Sequence, residues 1–433
     1  AGPRMVPFAA GPRMDKAVAP VILPAMTTDT DIAIVGGSLT GSTLALALAQ
    51  AGARVTVIDA LPVAAQTESG FDGRSYAMAL ASVRMMTALG LWNRLAGDAQ
   101  PMLEIKVSDG RVGRGPSPCV LHFDHREIEE GPMGHMVEDR HLRPVLLAAL
   151  DETPGIDHRP GCRVVAQSTE GPQAHLTLDD GTTLSAGLIV GADGRTGPTA
   201  GRAGIRRTVR DYDQTALVCA VTHEKPHRGI AHQFFMPEGP LAILPLKGNR
   251  CSIVWTEARA QASAVQDLND TAYLEVLRPR FGDFLGDIAL AGARYTYPLN
   301  LTLAESFTAQ RLALVGDAAR GVHPIAGQGL NAGLRDTATL ADVLIAALRR
   351  GEDFGSGPVL ARYARWRRAD TALLATATDG FNRLFSNDNP ILRTARDLGL
   401  GAVNATPRLR RAFIREAAGL TGDLPRLLTG VAP

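Results

Sequence analysis

The chain has 433 residues, of which 45% are hydrophobic, and its formal net charge is +1. This length allows one large domain or two ordinary ones, each with its own core. A charge so close to zero gives no electrostatic basis for nucleic acid as a partner. Cys119, Cys162, Cys219 and Cys251 are far apart and form no C-x-x-C pair, which favours small buried side chains over a metal site or disulfides.

The N-terminal segment 1–28 is rich in Ala, Pro and Gly, repeats the string AGPRM and lacks the apolar core of a signal peptide. We expect it to be disordered, with Met26 as a candidate natural start. No uninterrupted apolar run reaches the roughly 18 residues that a membrane-spanning helix needs. The sequence therefore predicts a cytoplasmic protein.

The periodicity of apolar residues predicts alternating strands and helices in the first half of the chain. Predicted strands are 31–36 and 53–59, predicted helices are 37–52, 76–97 and 139–151, and a β-meander is predicted over 161–190 with a hairpin turn at Asp180-Gly181. Further strands are predicted at 218–224, 230–236, 241–246, 251–257 and 311–316, followed by a helix over 329–349 and helical structure from 358 onward. Since βαβ elements begin the chain and recur near residue 311, this order predicts two interleaved domains.

A glycine-rich turn joins the first predicted strand to the first helix. Gly36, Gly37, Ser38 and Gly41 lie in a G-x-G-x-x-G pattern in which serine occupies the middle glycine position. The helix that follows presents free N–H groups and the positive end of its dipole to a pyrophosphate. Asp59 ends the second strand about 20 residues later, where an acid accepts from ribose hydroxyls. These features favour a nucleotide site over a turn of no special function.

Two more acids directly follow predicted strands. Asp193 comes after LIVGA, and Asp317 comes after LALVG. The second acid precedes a glycine-rich helix start formed by Gly327, Gln328, Gly329, Leu330 and Asn331. Such acids and helix starts fit further contacts with a long nucleotide ligand.

The three motifs resemble the GxGxxG, DG and GD signatures of the class A flavoprotein aromatic hydroxylases. Finer similarity points to their ubiquinone-biosynthesis branch, the 2-polyprenylphenol hydroxylases. The similar blocks are 72–92, 107–110, 137–150, 239–257, 323–336 and 381–388. The resemblance extends from about residue 30 to the C-terminus.

The resemblance implies an α/β fold. A Rossmann-like FAD-binding domain of the glutathione-reductase and p-hydroxybenzoate-hydroxylase type would be interleaved with a β-sheet substrate domain and followed by a helical C-terminal region. The expected bounds are 29–110 with 137–211 and 295–350 for the FAD-binding domain, 111–136 with 212–294 for the substrate domain, and 351–433 for the helical region.

The resemblance also implies roles for residues at matching positions. The fingerprint residues would hold the FAD pyrophosphate, Asp59 the adenosine ribose, and Asp317 the ribityl or pyrophosphate region. The segment 327–331 would lie beside the isoalloxazine. Arg74 and Arg140 would lie near the flavin or its phosphates, with ordinary surface salt bridges as the alternative.

The reaction implied is a hydroxylation. A reduced donor, usually NAD(P)H, would reduce FAD, and a flavin hydroperoxide formed with O2 would hydroxylate the ring of a polyprenylated phenol. A quinone-biosynthesis complex is a further implied partner. The sequence identifies no catalytic acid or base and no metal site; His323 is as consistent with a structural role as with a catalytic one. The apolar residues Phe234, Phe235, Leu244, Pro245 and Trp255 either line or back the substrate face or pack in the core.

Several positions depart from the family pattern. Besides Ser38, Arg320 replaces a histidine after GDAA, and Gly197 and Ala200 stand where the DG block has Ser and Arg. These departures concern the interaction with the reductant more than FAD binding. They also keep open the alternative of a flavin-binding scaffold without activity in a quinone-synthesis complex.

Two further alternatives concern the substrate and the reaction. A hydroxylase of a small soluble phenol would have the same fold. A halogenase is disfavoured, because Trp92, Trp255 and Trp366 form no W-x-W pair.

Two C-terminal segments are basic. The segments 362–368 and 407–415 are basic either because they are solvated faces or because they contact a partner. That partner would be the inner membrane surface, where a polyprenyl substrate resides, or a biosynthetic complex.

Overall fold

The protein was analysed as a computed structural model, which describes residues 28–67, 73–113, 115–117, 120–321, 328–368 and 399–433. The predicted disorder of segment 1–28 falls almost wholly outside these residues. So do His323, Gly327 and the block 381–388.

The strands and helices follow one another along the whole described chain. The strands are β1 (Thr30–Val35), β2 (Val55–Asp59), β3 (Ser75–Ala79), β4 (Gln100–Met102), β5 (Glu104–Arg111), β6 (Gly115–Pro116), β7 (Leu121–Asp124), β8 (Gly134–Glu138), β9 (Ile156–Pro160), β10 (Val164–Glu170), β11 (Gln173–Leu178), β12 (Thr183–Gly191), β13 (Arg207–His223), β14 (Ile230–Met236), β15 (Gly239–Leu246), β16 (Arg250–Ala258), β17 (Ile288–Leu290), β18 (Tyr295–Ala304), β19 (Thr308–Ala309), β20 (Leu312–Leu314) and β21 (Arg320–Gly321). The helices are α1 (Leu39–Gln50), α2 (Val63–Gln66), α3 (Leu80–Ala88), α4 (Trp92–Leu95), α5 (Asp139–Glu152), α6 (Thr199–Arg202), α7 (Arg259–Gln266), α8 (Asp270–Phe281), α9 (Gln328–Arg349), α10 (357–368), α11 (399–405) and α12 (Pro407–Ala417). Single 3-10 turns form at His125–Glu127, Gly316–Ala318 and Arg426–Thr429.

The first sheet has the order β10-β11-β12-β1-β2-β9, with β20 parallel to β12 and β19 beside it. β1 is parallel to both of its neighbours, β12 and β2. Its side chains are almost all buried, and Ile32 and Ile34 pack in one cluster with Leu44 and Leu48 of α1. Burial on both faces explains why β1 has a continuous apolar sequence instead of an alternating one.

The second sheet has the order β21-β18-β13-β16-β15-β14-β5-β6, with β7 beside β5 and β17 beside β13. One face is covered by α7 and α8, where Trp255 and Leu217 pack against Tyr273 and Leu277. The small third sheet, β3-β8-β4, contacts the second sheet through Met136, which clusters with residues of β13 and β15.

Most predicted elements are confirmed, including β1-α1-β2, α5, the meander and α9. The helix predicted over 76–97 is wrong at its start, because Ser75–Ala79 forms β3. This segment pairs antiparallel with β8, with Ser75 opposite Glu138. Pairing with a strand that is distant in the sequence overrides the local periodicity.

The α/β fold class is confirmed by the mixed sheets and their covering helices. The domain bounds stay a prediction. β5 and β18 pair within the second sheet, although the predicted bounds place nearly all of their residues in the FAD-binding part.

Candidate functional site

The three strand-end motifs meet in one cavity of about 560 Å³. The carboxyl ends of the parallel strands β1, β2, β12 and β20 share one edge of the first sheet, which is where such sheets bind ligands. The cavity is lined by Val35, Gly36, Ser38, Leu39, Thr40, Ile58, Asp59, Ala60, Leu61, Tyr76, Cys162, Arg163, Val164, Ala192, Asp193, Gly194, Arg195, Pro198, Arg202, Gly316, Asp317, Gly329, Leu330 and Gly333.

The fingerprint turn requires its glycines. Gly36 has φ +104°, and a Cβ atom there would lie 2.5 Å from the Ala192 carbonyl oxygen. A Cβ atom on Gly41 would lie 1.9 Å from the Gly36 carbonyl oxygen, so only glycine allows α1 to begin so close to β1. Ser38 has φ −77°, which any residue adopts, and the serine there causes no backbone strain.

Asp59 connects the turn to the end of β2. Its Oδ2 atom accepts from the Gly37 N–H group over 2.7 Å, and its Oδ1 atom accepts from the Leu61 N–H group over 2.8 Å. Each carboxylate oxygen can accept a second bond, and the side chain lies on the cavity wall. A ribose hydroxyl is a donor that suits this position.

The other two predicted acids lie across the cavity. Asp193 accepts from the Thr199 N–H group through Oδ2 over 2.9 Å, whereas its buried Oδ1 has no partner among the described residues. Asp317 accepts from the Arg195 Nε atom over 2.9 Å and is partly exposed. A buried carboxylate oxygen that lacks a partner is costly unless a ligand or water supplies a donor.

The start of α9 closes the cavity beside α1. Gly329 and Leu330 line the cavity, and a Cβ atom on Gly333 would lie 2.8 Å from the Thr40 Cγ2 atom. Gln328 begins α9. Asn331 lies outside the cavity lining: its Nδ2 atom donates to Ala77 O over 2.8 Å, and its Oδ1 atom accepts from Ala79 N over 2.9 Å. Asn331 therefore fastens the start of α9 to β3.

The two predicted arginines are absent from the cavity lining. Arg74 pairs with Asp139 over 3.2 Å and has a side chain that is 43% exposed, and Arg140 pairs with Glu138 over 2.8 Å. These contacts match the salt-bridge alternative, although the roles near FAD stay a prediction.

Sequence reasoning missed Arg143 and Tyr76. Arg143 donates to both carboxylate oxygens of Asp139 over 3.0 Å and to Ser38 Oγ over 3.1 Å. The Tyr76 hydroxyl donates to Asp139 over 2.9 Å, and burial raises the pKa of Tyr76 far above its usual value. The spacing of Asp139 and Arg143 on one helix face was the available signal, but it does not indicate that the pair lies behind the fingerprint turn.

The departures from the family pattern have structural reasons here. A side chain at Gly197 would overlap the Asp193 carboxylate, since its Cβ atom would lie 2.1 Å from Cγ. Ala200 is fully buried, so an arginine would not fit. Arg320 is buried in an ion pair with Asp336 over 3.0 Å, and Arg367 binds the same carboxylate over 2.6 Å.

The apolar residues predicted for the substrate side divide between two faces of the second sheet. Trp255 and Phe234 belong to the core under α7 and α8. Leu244 lies in a different cluster with Met102 and Met136, at the contact with the third sheet. Of the two predicted roles, packing in the core is therefore the one that Trp255 and Phe234 have.

The size of this cavity, its glycine turn and its carboxylates suit a dinucleotide with a pyrophosphate and ribose hydroxyls. Residues 29–376 match the family model described as an FAD binding domain.

Several known proteins are similar over nearly the whole chain. Ubiquinone hydroxylase UbiL of Rhodospirillum rubrum is 45% identical over 404 residues, which is 93% of each chain. The 3-demethoxyubiquinol 3-hydroxylase of Escherichia coli is 35% identical over 395 residues, covering 90% of this chain and 99% of that protein. The solved p-nitrophenol 4-monooxygenase of Pseudomonas putida shares the fold, with a TM-score of 0.75 at 19% identity over 92% of this chain and 99% of that one.

The chain belongs to the FAD-dependent aromatic monooxygenases, in the family that contains the ubiquinone hydroxylases. This confirms the resemblance that the motifs indicated, and it confirms FAD as the cofactor.

Proposed function

We propose that the chain hydroxylates the aromatic ring of a polyprenylated phenol in ubiquinone biosynthesis, using O2 and a reduced donor such as NAD(P)H. The observation that carries the proposal is that all three motifs line one cavity in a chain that matches ubiquinone hydroxylases over 93% and 90% of its length. When bound there, FAD would supply the electron transfer and the activation of O2. A quinone-biosynthesis complex as partner is part of the proposal.

The residues of the cavity have the following proposed roles. Gly36, Gly37, Ser38 and Gly41 hold the pyrophosphate at the start of α1, and Asp59 accepts from the adenosine ribose. Asp193 and Asp317 contact the middle of the cofactor from the opposite wall. Gly329 and Leu330 place the N-terminus of α9, with its positive dipole, beside the flavin ring.

The reaction is tested in a strain that lacks the gene. Mass spectrometry of its lipids is expected to show loss of ubiquinone and accumulation of a prenylated phenol that lacks one hydroxyl group. The wild-type gene should restore ubiquinone. Normal ubiquinone in a strain with no other hydroxylase of this family would contradict the proposal and favour a small soluble phenol as substrate. If the phenol accumulates in the deletion strain but the purified protein binds FAD that no donor reduces, the protein would be a scaffold and not the hydroxylase.

We also propose that α12 contacts the membrane surface that holds the substrate. Among the described helices, none is both long and apolar enough to cross a bilayer. Ile414 fastens α12 to the body, while Leu409 and Phe413 lie one turn apart and are 43% and 38% exposed. Arg408 and Arg411 are exposed next to them. Exposed apolar side chains flanked by arginines are the pattern of a helix that binds an anionic lipid surface.

Replacing both Leu409 and Phe413 by serine is expected to reduce binding to vesicles of anionic phospholipid by about 30-fold, because the two apolar side chains contribute on the order of 1 kcal/mol each at the interface. Cosedimentation with such vesicles at two salt concentrations measures this. The control is Val165→Ser, which removes an exposed apolar residue of β10, remote in sequence from α12. Unchanged binding of the double variant would mean that α12 is an ordinary solvated helix.

A further inference from the structure

A buried arginine lies directly behind the fingerprint turn. The Arg143 side chain is only 9% exposed, and its Nη1 group donates to Ser38 Oγ over 3.1 Å. Its Nε and Nη2 groups donate to the two carboxylate oxygens of Asp139, which also accepts from the Tyr76 hydroxyl. Gln66 Oε1 lies 3.5 Å from Nη1 of Arg143. Asp139 thus holds the guanidinium in one orientation, directed at Ser38.

The hydrogen bond from Arg143 determines whether the Ser38 side chain caps α1. A serine at the N-cap of a helix ordinarily accepts a hydrogen bond from an N–H group of the first turn. Ser38 is the N-cap residue of α1, yet its side chain makes no such bond. The hydroxyl oxygen is directed at Arg143 instead of at the start of the helix, so the first-turn N–H groups are left for a ligand.

The hydroxyl keeps a proton to donate. Among the residues that the structure describes, Ser38 Oγ accepts from Arg143 and is not a donor to any protein group. Ser38 also lines the cavity. A hydroxyl that accepts a bond from a cation is polarised and becomes a stronger donor.

We propose that Arg143 is a positioning residue for FAD. It keeps Ser38 from capping α1, so that the first-turn N–H groups and the Ser38 hydroxyl all bind the pyrophosphate. The serine then compensates for the missing middle glycine, whose usual role is to let the backbone approach the phosphates. This inference rests on the proposed pyrophosphate site, and it is independent of which phenol is hydroxylated.

The test is a mutant cycle with R143M, S38G and the double variant, each purified as the holoprotein. Serial dilution with detection of free flavin fluorescence gives the FAD affinity. Displacement of FAD by ADP and by adenosine separates binding of the pyrophosphate from binding of the nucleoside. R143M is expected to weaken FAD and ADP by about tenfold and to change adenosine by less than about twofold, since one charge-assisted network is lost.

The decisive comparison is the affinity of the double variant against that of R143M alone. Glycine cannot cap the helix through a side chain, so R143M with S38G is expected to bind FAD and ADP about threefold more tightly than R143M alone. A double variant that binds no tighter than R143M would overturn the positioning role. So would an R143M variant that binds ADP as the wild type does, or one that loses adenosine as strongly as ADP.

The matched control is R94M, because Arg94 of α4 pairs at the surface over 2.8 Å with Glu152 of α5, the helix that carries Arg143. It is expected to bind all three probes like the wild type. If R143M does not fold, R143K replaces it in the cycle with the same expected signs. A lysine keeps the charge but cannot hold Asp139 and Ser38 at once.

Discussion

Replacement of Gly41 by alanine is expected to yield a protein that is purified without flavin. The added Cβ atom would lie 1.9 Å from the Gly36 carbonyl oxygen, which is backbone and has no flexible end to move aside. The start of α1 would have to shift away from β1, and its first-turn N–H groups would lose their position against the pyrophosphate. We expect FAD affinity to fall by at least about 100-fold, or about 2.7 kcal/mol.

The ratio of flavin absorbance to protein absorbance after purification measures this loss, and a titration with added FAD gives its size. Gly97→Ala is the matched control, because Gly97 is exposed and a Cβ atom there meets nothing within 4 Å. A yellow G41A protein with the wild-type ratio would show that α1 can move without cost and that the turn does not carry the cofactor.

The sequence was sufficient where function depends on local chain geometry. The turn from β1 to α1 needs glycine at positions 36 and 41, and Asp59 needs only to end the neighbouring strand. Both requirements produce a pattern of specific residues at fixed spacing in the sequence. The apolar run of β1 likewise follows from burial on both faces of a parallel sheet. This is why the β1-α1-β2 unit and its glycine turn could be predicted residue by residue, whereas the binding roles of these residues stay a prediction.

The sequence was insufficient where a role depends on contacts between distant segments. Arg143 resembles any arginine on an amphipathic helix until α5 is placed behind α1, 105 residues away from Ser38. The strand character of Ser75–Ala79 depends on β8, and Asn331 binds β3 instead of facing the cavity. Arg320 looked like a loss of the family histidine, yet it is one member of a buried charge cluster.

That cluster is the basis of the second large expectation, which is that Asp336→Asn destabilises the protein by about 3–5 kcal/mol. Asp336 is fully buried on α9. Its Oδ1 atom accepts from Arg367 over 2.6 Å and forms an ion pair with Arg320 over 3.0 Å, and its Oδ2 atom accepts from the Gly316 N–H group over 3.2 Å. Asparagine keeps the shape but removes the negative charge that both buried guanidinium groups share.

Urea unfolding followed by circular dichroism measures the change as a shift of the transition midpoint at equal FAD concentration. The control is Asp211→Asn, because the pair of Asp211 with Arg259 is exposed on both sides and is expected to contribute little to stability. Since Gly316 carries the turn that presents Asp317, the Asp336 variant is also expected to release FAD more readily than the control. A midpoint equal to that of the control would mean that the carboxylate does not balance Arg320 and Arg367. In that case the ion pair between Arg320 and Asp336 would contribute nothing to stability.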